Sequence, residues 1–262
     1  VSLDIDRHAH VESSIQRWDP RFKIASLLLL ILCLALVKSI PLILIGLFLS
    51  IGLLLISRIP LGFIYQGLKV VVIFLLPFFI ILPLTYPGET ESYFIGMPYA
   101  IEGLRLATLI VIKAIAIVLT AYVMFGSRRF DVSMTALQHL KCPPLVVQML
   151  LFTYRFIFLF LAEMRRMDTA MKARGFIKKP DLYTLKVLGG FVGTLLIRSF
   201  ERTERIYKAM LSKGYQGELH TLIEFKSEAK DFIKAGVVVL LAIVIFSVDM
   251  TTVFSHAEQA WF

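Results

Sequence analysis

The sequence predicts an all-α integral membrane protein with about five transmembrane helices and a cytoplasmic block of three coupling helices, two of them long and crossed. Hydrophobic residues make up 58% of the 262, and only 18% are charged, far from the profile of an ordinary water-soluble domain. Several apolar runs approach the roughly 20 residues that a helix needs to cross a hydrocarbon core of about 30 Å. The net charge of +9 comes from basic residues beside those runs, so it reports topology and lipid head groups and not nucleic acid.

The opening stretch "VSLDIDRHAHVESSIQRWDP" is polar and lacks the basic start, apolar core and small-residue cleavage site of a signal peptide, so the first span is expected to stay in the mature protein. That span, "FKIASLLLLILCLALV", ends at Val37, and a second runs from Leu42 to Ile56. Lys38, Ser39, Ile40 and Pro41 between them read as a tight turn, with Pro41 pre-set for a first helical turn. A third span over about 64–85 should be kinked by Pro77 and Pro83, and a fourth covers about 101–125.

Between the third and fourth spans lies "YPGETESYFIGMPYA", with two Glu and no Lys or Arg. This loop faces outside under the positive-inside rule, while "RWDPRFK", Arg58, Lys69, Arg128 and Arg129 face the cytoplasm. The apolar run Leu145–Ala162 looks like a fifth span by hydropathy alone. If it crossed, residues 163–214, with twelve Lys and Arg, would be pushed outside, and Arg155 would sit within the bilayer. Residues 126–234 are therefore expected on the cytoplasmic side, and "AGVVVLLAIVIFSV" (235–248) makes the last crossing. The chain divides into 1–125, an N-terminal segment and four spans; 126–234, the coupling helices; and 235–262, a last span with a short outer tail.

Within the cytoplasmic block, "FDVSMTALQHL" reads as a short helix with Asp131 and Ser133 as N-caps, stopped by Pro143 and Pro144. Residues 145–174 and 182–213 contain no helix breaker other than glycine and predict two helices of about 45–48 Å. In "GFIKKPD", Gly175 and Pro180 stop the first and Asp181 caps the second. A hairpin or crossed pair follows.

The ends of the two long helices repeat one pattern. Arg166, Ala170, Met171, Ala173, Arg174, Gly175 and Phe176 align without gaps on Arg205, Ala209, Met210, Ser212, Lys213, Gly214 and Tyr215, with four identities and three conservative pairs. One copy is explained by capping: Gly tolerates the left-handed conformation at C′, and a basic residue complements the helix dipole. Capping alone calls for neither the Arg four residues before the Ala nor the aromatic after the Gly. In a hairpin the two ends lie tens of Å apart, which suits a partner present in two copies, its carboxylates meeting the basic tips.

These residues resemble the transmembrane (T) component of energy-coupling-factor transporters, and within it the CbiQ branch that serves cobalt and nickel. The coupling helices of that family end in two Ala-Arg-Gly-type motifs. Ala173, Arg174 and Gly175 match letter for letter, whereas Ser212, Lys213 and Gly214 keep only small, basic and Gly. "DRHAHVESSIQRWDPRFKI", "LQHLKCPPLVV" and "TYRFIFLFLAEMRRMDTAMKARGF" extend the likeness over nearly the whole chain. The resemblance implies a multi-pass scaffold in a prokaryotic cell membrane, docked to two CbiO-like ATPase subunits that hold ATP and Mg, and to a CbiM-like substrate-capture subunit. Ala173–Phe176 and Ser212–Tyr215 would be the ATPase contacts.

Other candidates are weaker. His8 and His10 beside Asp4, Asp6 and Glu12 invite a metal reading that requires a matching loop geometry. Cys33 and Cys142 lack metal or disulfide spacing. Lys113, mid-span, is either a snorkelling or interhelically paired lysine or part of a midplane transport site; no matching mid-span carboxylate is evident. Arg155 and Glu163 are read as structural charges pairing within the hairpin or with the spans. No phosphate loop, HExxH or GxSxG motif is present, so the chain is expected to be non-catalytic, with no cofactor of its own. The alternatives are a self-contained secondary transporter and the T component of a vitamin importer.

Overall fold

A computed structural model describes residues 15–16, 18–85, 92–94, 97–217 and 228–259, including all their side chains except those of 61, 92–94, 97–99 and 252–259. In chain order the elements are α1 (Pro20–Leu36), α2 (Ile40–Ser57), α3 (Leu61–Leu75), α4 (Phe78–Thr85), β1 (Ser92–Phe94), β2 (Met97–Tyr99), α5 (Ile101–Gly126), α6 (Phe130–His139), α7 (Pro144–Ala173), α8 (Leu182–Ser212) and α9 (Ala229–Gln259). The described residues fall into two compact units, one of residues 137–217 and one made of everything before and after.

In the larger unit, Asp19 caps α1 by accepting the Arg21 N–H, and Pro20 fills the first helical position, where a missing N–H costs nothing. The α1–α2 turn is as short as the sequence implies, with Ser39 at the N-cap position of α2 and Pro41 in its first turn. The third span is interrupted at Pro77, where a kink was expected, with Leu76 still in helical conformation. It ends as α3 at Leu75 and resumes as α4 at Phe78, because Pro77 has no N–H to offer and its ring obstructs the preceding turn.

Pro83 sits inside α4, and its carbonyl accepts the Ala100 N–H just before α5. Gly103, one turn into α5, lies so near that a Cβ there would stand 2.6 Å from Pro83 Cα. The acidic connection adds a feature that composition did not indicate: β1 and β2 pair antiparallel, with Ser92 opposite Tyr99.

The core of this unit is built by one face each of α1, α2, α5 and α9. Leu27, Leu30, Leu34, Ile43, Ala116, Val123 and Ala242 have no exposed surface. Polar anchors fix the register of these helices. Ser50 Oγ lies 3.0 Å from Thr120 Oγ1, linking α2 to α5, and the wholly buried Lys23 donates to Ser127 Oγ at 2.8 Å, linking the start of α1 to the end of α5. Trp18 Nε1 donates to the Asp231 carbonyl, and Arg128 donates to the carbonyls of Gln16 and Trp18, gathering the chain before α1 against the ends of α5 and α9.

The smaller unit contains α7 and α8. Lys141, with φ of 66°, turns the chain after α6, and Pro144 begins α7. Asp131 and Ser133, expected as N-caps of α6, lie inside it instead; Asp131 occupies the acidic first turn and pairs with Arg129 at 2.9 Å. Asp181 caps α8 as expected, its carboxylate accepting the Thr184 N–H at 2.7 Å.

The protein is an all-α integral membrane protein apart from that small hairpin. Among the described residues, six segments are long and apolar enough to cross a bilayer: Ile40–Ser57, Gly62–Thr85, Ile101–Gly126, Pro144–Ala173, Leu182–Ser212 and Ala229–Thr251. These include α7 and α8, whose charged halves argue against insertion. They omit α1, whose 17 residues reach about 26 Å. α9 is longer than the expected 235–248 at both ends.

Candidate functional site

The repeated pattern folds twice into the same hydrogen-bonded cap. At the end of α7, Gly175 N–H donates to the Lys172 carbonyl and Phe176 N–H donates to that of Met171. At the end of α8, Gly214 N–H donates to Leu211 and Tyr215 N–H to Met210. This pair of bonds defines the Schellman motif, and both glycines have the positive φ it requires, 79° and 86°. Arg174 and Lys213 occupy the C-cap position with nearly the same backbone, φ of −87° and −95°. Ala173, Arg174, Gly175, Ser212, Lys213 and Gly214 are all exposed, while Phe176 and Tyr215 are half-buried.

The geometry corrects one part of the sequence argument. A Schellman cap brings the residue after the glycine onto the one five positions earlier, which is Met171 for Phe176 and Met210 for Tyr215. The aromatic therefore has a capping reason of its own. Capping leaves unexplained the basic residue at each tip. Neither Arg174 nor Lys213 forms an ion pair with a described residue, whereas the neighbouring Lys172 and Lys178 both bind Asp168, at 2.7 and 3.3 Å. The hydrogen bonds from Lys172 and Lys178 hold the Asp168 carboxyl below its ordinary range.

The two long helices run antiparallel. Glu163 on α7 bonds Arg198 on α8, and Gln148 near the start of α7 accepts a hydrogen bond from Tyr215 OH just past the end of α8. About 39 Å of continuous helix separates position 148 from position 174 at 1.5 Å per residue, so the caps stand at opposite ends of the hairpin. Between Leu145 and Phe160 on α7, and Thr203 and Met210 on α8 with Tyr215 just beyond it, the helices border an open apolar groove of about 550 Å³ walled by Phe152, Phe156 and Tyr207. Beside it, Glu163, Arg198, Glu201, Arg202 and Arg205 line a charged groove of about 680 Å³.

Glu163 pairs within the hairpin, whereas Arg155 is exposed and has no described partner. Lys113 lies in the other unit, far along the sequence from the caps. Its ammonium donates to the Ala35 carbonyl at 2.7 Å, filling one of the last open acceptors of α1. A carboxylate that sequence reading missed lies near it. Asp249 on α9 is buried and accepts the backbone N–H groups of Lys38 and Ser39 at 2.9–3.2 Å. An acid inside the apolar run "FSVDM" was the available signal.

Among the described residues, no three His, Cys, Asp or Glu converge as a metal site; His8 and His10 lie outside those residues.

Comparison with known proteins agrees with the fold. An uncharacterized protein of Methanocaldococcus jannaschii is 28% identical over 94% of this chain and 87% of its own length. The energy-coupling factor transporter transmembrane proteins EcfT of Bacillus selenitireducens and Bacillus subtilis are each 27% identical over 82% of this chain, and over 85% and 86% of their own lengths. The model of the cobalt transport protein family CbiQ matches residues 11–222, which include every helix through α8 and both caps. The chain belongs to the CbiQ cobalt transport protein family.

Proposed function

We propose that this chain is the transmembrane coupling component of an energy-coupling factor importer in a prokaryotic cell membrane. It carries ATP-driven motion from two CbiO-like ATPase subunits to a CbiM-like substrate-capture subunit, and the cargo is cobalt or nickel. The observation that carries this reading is the duplicated cap: two caps with the same hydrogen-bond pattern at opposite ends of one hairpin, each presenting an exposed basic side chain that no described residue pairs with. ATP and Mg belong to the partner subunits, and the chain itself catalyses nothing.

In this reading, Arg174 and Lys213 enter carboxylate-lined grooves on the two ATPases, and Phe176 and Tyr215 add apolar contact at the rim. The chain crosses the bilayer through α1, α2, α3 with α4, α5 and α9, and α6, α7 and α8 lie on the cytoplasmic side. The positive charge of α7, α8 and their connection supports that side. A midplane site at Lys113 is disfavoured because its ammonium is already committed to the Ala35 carbonyl.

The test is charge reversal. Arg174→Glu and Lys213→Glu should each lose the ATPase subunits on co-purification in mild detergent, and with them cobalt uptake by cells. Retention of both ATPases and of uptake in the double variant would overturn the proposal.

A further inference from the structure

The two caps share a backbone but are fastened differently. The first is tied locally: Asp168 holds Lys172 and Lys178, Lys179 N–H donates to Thr184 Oγ1, and Asp181 caps α8. The second is tied across the hairpin by one side chain. Gln148, on the second turn of α7 and 8% exposed, donates from Nε2 to the Gly217 carbonyl at 2.9 Å and accepts Tyr215 OH on Oε1 at 3.1 Å. The carbonyl needs the amide NH₂, which leaves the amide oxygen for the tyrosine hydroxyl, so both partners fix one orientation of the amide.

α7 is thus attached to both caps, covalently to the first at its C-terminal end and through Gln148 to the second near its N-terminal end. Gln148 and Tyr215 also form one end of the apolar groove between α7 and α8. The amide therefore gives a displacement of the second cap a hydrogen-bonded route to α7 and to the groove wall. The amide thus adds a hydrogen-bonded link to α7 beside the covalent one through α8.

We infer that Gln148 is a positioning residue for energy coupling: it fastens the second basic cap to α7 so that both ATPase contact points move the same helix. The inference rests on the docking role proposed above for the caps. It differs from that role in concerning transmission after docking, and Gln148 itself stands outside both caps, holding the second through Tyr215 and Gly217.

The experiment uses the chain assembled with its ATPase subunits, with Gln148→Leu, which fills the space without hydrogen bonding, and Gln148→Glu, which keeps the acceptor for Tyr215 but loses the donor to Gly217. Both should keep the ATPases bound and hydrolysing ATP. Uptake of cobalt ion should fall about tenfold in Gln148→Leu, the scale of a lost coupling, and at least as far in Gln148→Glu, whose buried carboxylate would face the Gly217 carbonyl.

Spin labels at Thr153 on α7 and Lys208 on α8 should report the same distance with and without ATP in the parent assembly and a longer, broader one with ATP in Gln148→Leu. Normal uptake with an unchanged distance in Gln148→Leu would overturn the inference, as would release of the ATPases by that variant. Failure of the docking role itself shows separately, as ATPase retention in Arg174→Glu and Lys213→Glu.

Discussion

Lys113 of α5 closes the C-terminus of α1 by donating to the Ala35 carbonyl at 2.7 Å, while Asp249 of α9 holds the N-terminus of α2 through the Lys38 and Ser39 N–H groups. Opposite charges thus cap opposite helix dipoles at the two sides of one tight turn.

Lys113→Met should keep the volume and lose the cap. The orphaned carbonyl costs about 1–3 kcal/mol, which should appear as a lower Tm of the purified chain in detergent. The assembly with ATPases should be unchanged, because Lys113 is remote in sequence from both caps and bonded to α1. If Lys113 were part of a midplane transport site, the substitution would abolish uptake without loss of stability.

Asp249→Leu should destabilise more than Lys113→Met, since it strips two backbone N–H groups of a charged acceptor, each such bond contributing about 1.5–3 kcal/mol. Chemical unfolding in detergent micelles would rank the two variants.

Gly103→Ala should separate α4 from α5. The new Cβ would meet Pro83 Cα at 2.6 Å and the Leu82 carbonyl oxygen at 2.7 Å, both backbone atoms that cannot rotate away. Overpacking of this kind costs about 1–3 kcal/mol. Gly189→Ala, where a Cβ meets nothing within 4 Å, is the control and should raise helix stability slightly.

The Asp168 pair predicts a one-sided pH response. Because its carboxyl lies below the ordinary value, its contribution is fully present above about pH 4 and is lost as pH falls through the depressed value. Hydrogen exchange in the connection after Arg174 should therefore be flat from neutral pH to about pH 5, once the intrinsic rate is divided out. It should match that of Asp168→Asn only in stronger acid.

Much of this was legible in the sequence because it follows from local rules. Pro41 and Ser39 mark the α1–α2 turn, Asp181 marks the start of α8, and Gly175 and Gly214 mark two helix ends whose neighbours repeat. Pro77 announced a disturbance, but whether α3 would bend or break depended on tertiary packing. The partners of Lys113 and Gln148 were not legible, since Ala35 is an ordinary residue and its carbonyl carries no side-chain signature. The tyrosine at 215 serves capping as well as the contact proposed for it, and composition cannot separate the two uses. Hydropathy also left the status of α7 and α8 open, because a helix apolar enough to enter lipid is also apolar enough to bind another protein.

The two Schellman caps bear on a symmetry problem. Under the docking proposed above, a pair of like ATPases would present a two-fold axis, which a hairpin of two unlike helices cannot match along its length. Here the match is required of only two six-residue rings, Met171–Phe176 and Met210–Tyr215, closed by the same backbone bonds. Everything outside those rings is released from the symmetry, so the two halves of the hairpin are free to differ in charge, in apolarity and in what they touch.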